Sequence, residues 1–164
     1  MKVYIIAAIT ADGFIAKTSK EYIDWTSKED KLFFREMTKK SGVIVLGGNT
    51  FRTFKKLLPG RRHIIYTHQK IDNPQVETTK ETPEALAERL AKEGFNEIAI
   101  CGGSTIYNMF LSSGVVSDVY LTVEPLLFGS GIKLAVSDLD IKLKLQSVKH
   151  LNIDTIVLHY KVVN

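Results

Sequence analysis

Cysteine is nearly absent from this chain: Cys101 is the only one in 164 residues. A lone cysteine excludes an internal disulfide and fits a reducing, cytoplasmic compartment. The four histidines, His63, His68, His150 and His159, are scattered along the chain. Together with one cysteine they offer no metal-ligand spacing, so no metal is expected. No apolar run is long enough to span a bilayer, and no membrane partner is expected. The start, "MKVYIIAAITADGF", carries one lysine before an apolar stretch. It lacks a small-residue cleavage site and runs straight into a turn, so it reads as a first strand rather than a signal peptide. No repeat, low-complexity tract or linker interrupts the chain, and its length suits one domain over residues 1–164.

What is present is an apolar fraction of 45%, enough for a core, and a net charge of +4 with a pI of about 9.1. That balance favours anionic partners. No block of lysine and arginine is interleaved with aromatics, so nucleic acid is not expected. The densest basic stretch is "KKLLPGRR", residues 55–62. It suits either a solvated loop or an anionic small molecule.

Hydrophobic patterning gives the layout. "KVYIIAAI" (2–9), "SGVIVLGG" (41–48), "RHIIYT" (62–67) and "EIAIC" (97–101) are near-continuous apolar runs, as in strands buried on both faces. Thr26 or Ser27 caps a helix reaching about Lys40, with Glu29 or Asp30 as capping-box partner. "NTFRTFKKL" reads as a short helix. "TPEALAERLAKEG" has Thr82 as cap, Pro83 at the first helical position and Gly94 as stop. "TIYNMFLSSG" is a fourth helix and "DVYLTVEP" a further strand. "IKLKLQSV" alternates apolar and polar, and "TIVLHYKVV" follows, as in an antiparallel pair. The order predicts an α/β sandwich: a mainly parallel sheet with an antiparallel C-terminal edge.

Two buried strands end in a glycine pair, a small polar residue and a helix: Gly47-Gly48-Asn49-Thr50 and Gly102-Gly103-Ser104-Thr105. Glycine admits a phosphate close to the backbone, and a helix N-terminus offers free N–H groups. Two such junctions suit a dinucleotide. Each is also an ordinary tight turn. Asp30 poses a conflict. It lies three and four positions before Phe33 and Phe34, on or beside the apolar face of its helix. It is either half of a capping box with Ser27 or a carboxylate held there for function. Trp25 is either a core residue or part of the same constellation.

In order, the motifs are Ile6-Ala7-Ala8, Asp12-Gly13-Phe14-Ile15, Trp25 with Asp30, Phe33 and Phe34, then Gly47-Gly48-Asn49-Thr50-Phe51. Leu58-Pro59-Gly60-Arg61, Gly102-Gly103 with Ile106-Tyr107, and Tyr120-Leu121-Thr122 complete them. This series resembles the dihydrofolate reductase family over nearly the whole chain. "EPLLFGSGIKL" and "SSGVVSDVYL" are similar to the reductase domain of the riboflavin-pathway deaminase/reductase, which shares the fold. Two positions depart from the family pattern: Ile23-Asp24 stands where Leu-Pro precedes the tryptophan, and Gly48 stands where a base reads the cofactor's extra phosphate. Arg52, Thr67, His68 and Lys70 remain for that contact.

The resemblance implies a dihydrofolate-reductase-like three-layer sandwich that reduces 7,8-dihydrofolate to tetrahydrofolate with NADPH. It implies Asp30, Trp25 and Thr122 in catalysis, with Asp30 accepting N3–H and the 2-amino group of the pterin and Thr122 holding the acid. Ile6, Ala7, Ala8, Phe33 and Phe34 would line the pterin, and Arg61 would pair with the glutamate α-carboxylate. Ala8, Ile15, Gly47, Gly48, Asn49, Thr50, Thr67, His68, Cys101, Gly102, Gly103, Ser104, Thr105, Ile106 and Tyr107 would bind the cofactor. The tail's resemblance implies a homodimer through the C-terminal strands. The rival expectations are a ribosylamino-pyrimidine reductase and a non-catalytic nucleotide-binding module.

Overall fold

The computed structural model describes residues 1–163. Its elements in chain order are β1 (Lys2–Thr10), β2 (Phe14–Ala16), α1 (Lys28–Ser41), β3 (Val43–Gly47), α2 (Gly48–Arg52), β4 (Arg62–Tyr66) and β5 (Val76–Thr79). There follow α3 (Pro83–Lys92), β6 (Glu97–Ile100), α4 (Ser104–Ser113), β7 (Asp118–Glu124), β8 (Ile132–Lys133), β9 (Lys142–His150) and β10 (Ile156–Val163).

Eight strands form one sheet in the order β5-β4-β3-β6-β1-β7-β10-β9. Every pairing is parallel except those of β10 with β7 and β9. The expected parallel sheet with an antiparallel C-terminal edge is therefore present. The apolar runs occupy its centre: Tyr4, Ile5, Ile44, Val45, Ile64, Ile98 and Ile100 are fully buried. On one face α3 and α4 supply Leu86, Leu90, Ile106 and Phe110 to the core. On the other, α1 and α2 supply Phe33, Phe34, Met37 and Phe51. The result is three layers, helices on both sides of one sheet.

Local signals place α1. Ser27 is its N-cap, and Gly42 ends it in the left-handed region at φ 72, its N–H donating to the Thr38 carbonyl. The Tyr4 hydroxyl donates to the Met37 carbonyl at 2.8 Å and pins the helix to the central strand. Three short strands carry no sequence signal of their own: β2 and β8 pair only with each other, and β5 is a four-residue edge. The second helix is shorter than "NTFRTFKKL" suggests and stops at Arg52. The Thr53 hydroxyl takes the Thr50 carbonyl at 2.7 Å, a side-chain bond that competes with helical continuation.

Candidate active site

A cleft of about 1200 Å³ opens at the carboxyl ends of β1, β3, β4 and β6. In doubly wound sheets this is where ligands bind, because loops and helix N-termini converge there. Ile6, Ala7 and Ala8 from β1, Ile15 from β2, and Asp30 and Phe34 from α1 line one part. Gly47, Gly48, Asn49 and Thr50, Thr67 and His68, and the whole run from Cys101 to Tyr107 line another. Arg61 lies at the rim. The cleft thus brings together all the expected site residues except three.

Those three are Trp25, Thr122 and Phe33. Trp25 turns away and packs edge-on against Phe128, ring centroids 5.1 Å apart, with Nε1 buried and without a partner among the described residues. Phe33 lies against Tyr120 on the sheet at 6.3 Å. Phe33 and Phe34 stand three and four positions after Asp30, and only the latter shares its direction into the cleft. Thr122, in β7, is 1% exposed and sits behind Asp30 rather than in the lining.

Asp30 is 8% exposed. Ser27 Oγ accepts its backbone N–H at 3.1 Å, so the cap forms. The reciprocal half of the capping box does not come from Asp30. The Ser27 N–H and hydroxyl both donate to Glu124 Oε1, at 2.9 and 2.8 Å, and Thr155 donates to Glu124 Oε2 at 3.0 Å. Glu124 does the capping, and the Asp30 carboxylate is left facing the cleft. Burial raises its pKa, and the nearby Glu124 charge adds to that rise. The hydroxyls of Thr122 and Thr26 and the charge of Lys31 oppose it without cancelling it. Thr122 Oγ1 is buried and makes no well-formed hydrogen bond among the described residues, yet it stands near enough to Asp30 to favour the carboxylate.

The glycine junctions form a cradle. The Gly47 N–H donates to the Gly102 carbonyl at 2.7 Å, which locks the two strand ends together. A Cβ on Gly103 would meet Thr50 Oγ1 at 3.0 Å, and one on Gly48 would meet Thr67 Oγ1 at 3.0 Å. Gly102 sits at φ +112, and its added Cβ would meet the Tyr107 hydroxyl, which donates to the Ile6 carbonyl. The N-terminus of α4 has no side-chain cap, so its first N–H groups remain available to an anion at the cleft. Over Gly48 lies Arg52, held by Asn49 Oδ1 and by Gln69 Oε1 at 2.8 Å. Lys70 is not in the lining. Cys101 is buried, and desolvation pushes its thiol pKa up, so it serves as wall rather than nucleophile.

Arg61 is fixed from three sides: Nε donates to Thr38 Oγ1 and the two terminal nitrogens to the carbonyls of Pro59 and Arg35, each at 2.8 Å. Two of its five N–H donors have no partner among the described residues. Leu32, Phe54 and Leu58 also line the cleft, though none is marked as a site residue by the sequence. Leu58 was visible only as part of the Leu-Pro-Gly-Arg motif, and Leu32 and Phe54 carry no signal beyond being apolar.

Fold and cleft together define an α/β protein whose strand-end cleft joins two glycine junctions and an uncapped helix start. The family profile described as "Dihydrofolate reductase" matches residues 2–124, and the chain belongs to that family. It is 33% identical over 123 residues to the dihydrofolate reductase of Buchnera aphidicola subsp. Baizongia pistaciae (strain Bp), covering 74% of this chain and 70% of the relative. A pyrimidine reductase-like protein from Corynebacterium diphtheriae superposes with a TM-score of 0.80 at 16% identity, over 99% of this chain and 92% of the other. The diaminohydroxyphosphoribosylaminopyrimidine deaminase/5-amino-6-(5-phosphoribosylamino)uracil reductase of Thermotoga maritima gives 0.77 at 17% identity, over 98% of this chain and 56% of the other. Such identities speak for the shared fold. The dual resemblance read from the sequence, reductase front and riboflavin-type tail, is present in these matches.

Proposed function

We propose that the protein reduces 7,8-dihydrofolate to tetrahydrofolate at the expense of NADPH. The observation that carries this reading is the Asp30 carboxylate: buried, released from capping duty by Glu124, and open to the cleft. A carboxylate among apolar groups is costly unless a ligand supplies its hydrogen bonds. The N3–H and 2-amino group of a pterin form the matching pair of donors, which a carboxylate accepts in a fork. Ile6 and Phe34 supply the flanking apolar walls. The raised pKa of Asp30 suits it to hold a proton near the ring, and water carries that proton to N5, on the side away from the acid. Arg61, held rigid by three bonds, offers its two spare N–H donors to the glutamate carboxylate.

The residues fit the cofactor. Gly103 and Gly48 leave room that a Cβ would fill, and the uncapped α4 start suits a diphosphate. Arg52, over Gly48, takes the place of the missing base for the extra phosphate. NADPH bound there supplies the hydride. The chain's own part is to place the two rings against each other and exclude water. The single buried cysteine suits a cytoplasmic setting.

A second reading, a ribosylamino-pyrimidine reductase, is favoured by one observation: the family match stops at residue 124, while the riboflavin-type folds superpose over nearly the whole chain. Incubating the protein with NADPH and either dihydrofolate or the pyrimidine separates the two. Consumption of NADPH with the pyrimidine alone would reject the folate reading.

We also infer a homodimer through β9 and β10. All nine residues of β9 are exposed. Leu143, Leu145 and Val148 pair across to Val162, Tyr160 and Leu158, which puts six apolar side chains on one face. Tyr160 and Val162 pack in part on the main core, whereas Leu143, Leu145 and Val148 stay 42–50% exposed, and a second copy offers a self-complementary apolar face for them. Sedimentation of the wild type and of Leu145→Lys tests this: the wild type should run as a dimer and the variant as a monomer, whereas a monomeric wild type would refute it.

A further inference from the structure

His63, in β4, is 2% exposed. Its neighbours in the sheet, Ile44 of β3 and Val76 of β5, are apolar, and Phe51 of α2 stands edge-on at 6.5 Å. Among the described residues it has no carboxylate partner, whereas His159 pairs with Asp118 at 2.7 Å. Burial holds its pKa below the ordinary histidine value. The Arg61 backbone favours a proton on the ring, and the charge of Arg61, the one charged group acting on it, opposes that proton. The ring is therefore neutral at neutral pH.

A neutral imidazole has one acceptor nitrogen, and here it has a specific task. His63 Nε2 accepts the Leu58 backbone N–H at 3.1 Å, which places the ring proton on Nδ1. Among the described residues this is the one backbone N–H between Lys55 and Arg61 with a protein acceptor. Pro59 has no N–H to give, and Gly60 turns the chain in the left-handed region at φ 73. The stretch Leu58-Pro59-Gly60-Arg61 is thus held at its start by His63. At its end the Arg61 guanidinium takes the carbonyls of Pro59 and Arg35 and the hydroxyl of Thr38. The carbonyl of Pro59 that Arg61 grips is one residue from the N–H that His63 grips. What moves Leu58 moves an anchor of Arg61.

We propose that His63 is a positioning residue for Arg61, and that its protonation in acid loosens the hold on the substrate's carboxylate. A protonated imidazole donates from both nitrogens and accepts from neither. The Leu58 N–H then faces a donor, the segment yields, and Arg61 loses an anchor that aims it. The proposal rests on the reading of Arg61 as the partner of the glutamate carboxylate. The pterin ring and NADPH, held elsewhere in the cleft, are not affected.

The test joins two readouts on the wild type, His63→Gln and His63→Leu. Gln carries an acceptor at about the place of Nε2 and does not titrate, and Leu carries none. First, NMR follows the Leu58 amide and the Arg61 Nε–H from about pH 8 to about pH 5. In the wild type both should shift together, with a midpoint below the ordinary histidine value of about 6.5, and in His63→Gln neither should. An Arg61 signal that stays still while the Leu58 amide moves would overturn the proposal, as would equal titration in His63→Gln.

Second, KM is measured for dihydrofolate and for a dihydropterin without the glutamate. Loss of one hydrogen bond predicts a rise of roughly three- to tenfold for dihydrofolate, in acid for the wild type and at every pH for His63→Leu. His63→Gln should show no such rise. The dihydropterin should show none in any of the three proteins, and because it shares any titration of Asp30 it cancels that effect. Equal rises for both compounds would make His63 structural and overturn the proposal. Failure of the wild type to turn over dihydrofolate, with the coupled NMR titration intact, would reject the folate reading and keep the coupling of His63 to Arg61.

Discussion

Glu124 accepts the backbone N–H of Ser27 at 2.9 Å, closing the N-terminus of α1 from a strand 97 residues away. The Ser27 hydroxyl donates to the same oxygen, and Thr155 holds the other. This long-range cap is what frees Asp30. Ser27→Ala and Glu124→Gln should each cost about 1–2 kcal/mol of stability, and the double variant less than their sum, because both act on one network. Glu124→Gln also removes a like charge from beside Asp30, so the Asp30 pKa should fall. Denaturant unfolding and the pH profile of kcat read the two effects. Additive stabilities with an unchanged profile would mean that Glu124 and Asp30 are independent.

Arg61 should act on the substrate's tail and not on its ring. Arg61→Lys keeps the charge but loses the planar fork, and the three internal bonds that aim it. Arg61→Ala removes the charge-assisted pair outright at a cost on the order of 1.5–3 kcal/mol, so KM for dihydrofolate should rise tenfold or more in that variant, and less in Arg61→Lys, while KM for NADPH stays put. A pterin without the glutamate should be indifferent to the change. Equal losses with both substrates would make Arg61 structural, a bolt between α1 and the loop before β4.

Arg52 should set the choice between NADPH and NADH. It lies over Gly48, where an added Cβ would come within 3.4 Å of its guanidinium. Arg52→Gln should weaken NADPH binding by roughly tenfold and leave NADH nearly unchanged. Titration of the two nucleotides by fluorescence measures this, and parallel losses would count against a phosphate contact. Gly102→Val is a poor probe of the same cradle. At φ +112 it strains the backbone whether or not a nucleotide binds.

Asp118 should stabilise the fold at neutral pH and lose that contribution in acid. Burial alone would raise its pKa, but hydrogen bonds from Lys161, Ser117 and His159 outweigh burial and hold it at about 2. A carboxylate whose folded pKa lies below its unfolded value of about 3.9 stabilises above that value, and the contribution fades as pH falls toward 2. Its size is on the order of 2 kcal/mol at neutral pH. Asp118→Asn should therefore lower the melting temperature at neutral pH and converge on the wild type in strong acid. A constant difference at all pH values would assign the loss to packing.

Much of this architecture is legible in the sequence, for physical reasons. Strands buried on both faces must be apolar throughout, so β1, β3, β4 and β6 announce themselves. Thr82-Pro83 and Gly94 bracket α3. The short strands β2, β5 and β8 escape because they bury little and are held by partners distant in the chain. The cleft is legible where glycine pairs end strands. It is not legible where rotation about a helix axis decides: Phe33 and Phe34 are equivalent by spacing, and only packing on Tyr120 turns Phe33 away. By sequence Trp25 is either a core residue or a companion of Asp30, and the structure sets it on Phe128, a contact no local pattern encodes. The Ser27–Asp30 spacing suggests a capping box, and nothing near it in sequence reveals that Glu124 has taken the second half.

The measurement that bears most directly on the account is kcat for dihydrofolate and NADPH against pH, for the wild type and Asp30→Asn, with thermal melts alongside. Asn keeps the shape of the side chain but presents an NH₂ where an acceptor is needed. Because burial raises the Asp30 pKa, the folded state holds its proton more tightly than the unfolded. Stability from this group is fully present below the unfolded pKa and declines as pH rises through the folded one, and Asn removes that decline. The account predicts turnover lower by orders of magnitude at neutral pH, partial recovery in acid where the substrate is already protonated, and melting at or above the wild type. A variant that turns over normally and melts several degrees lower would make Asp30 part of the helix cap and contradict the central claim.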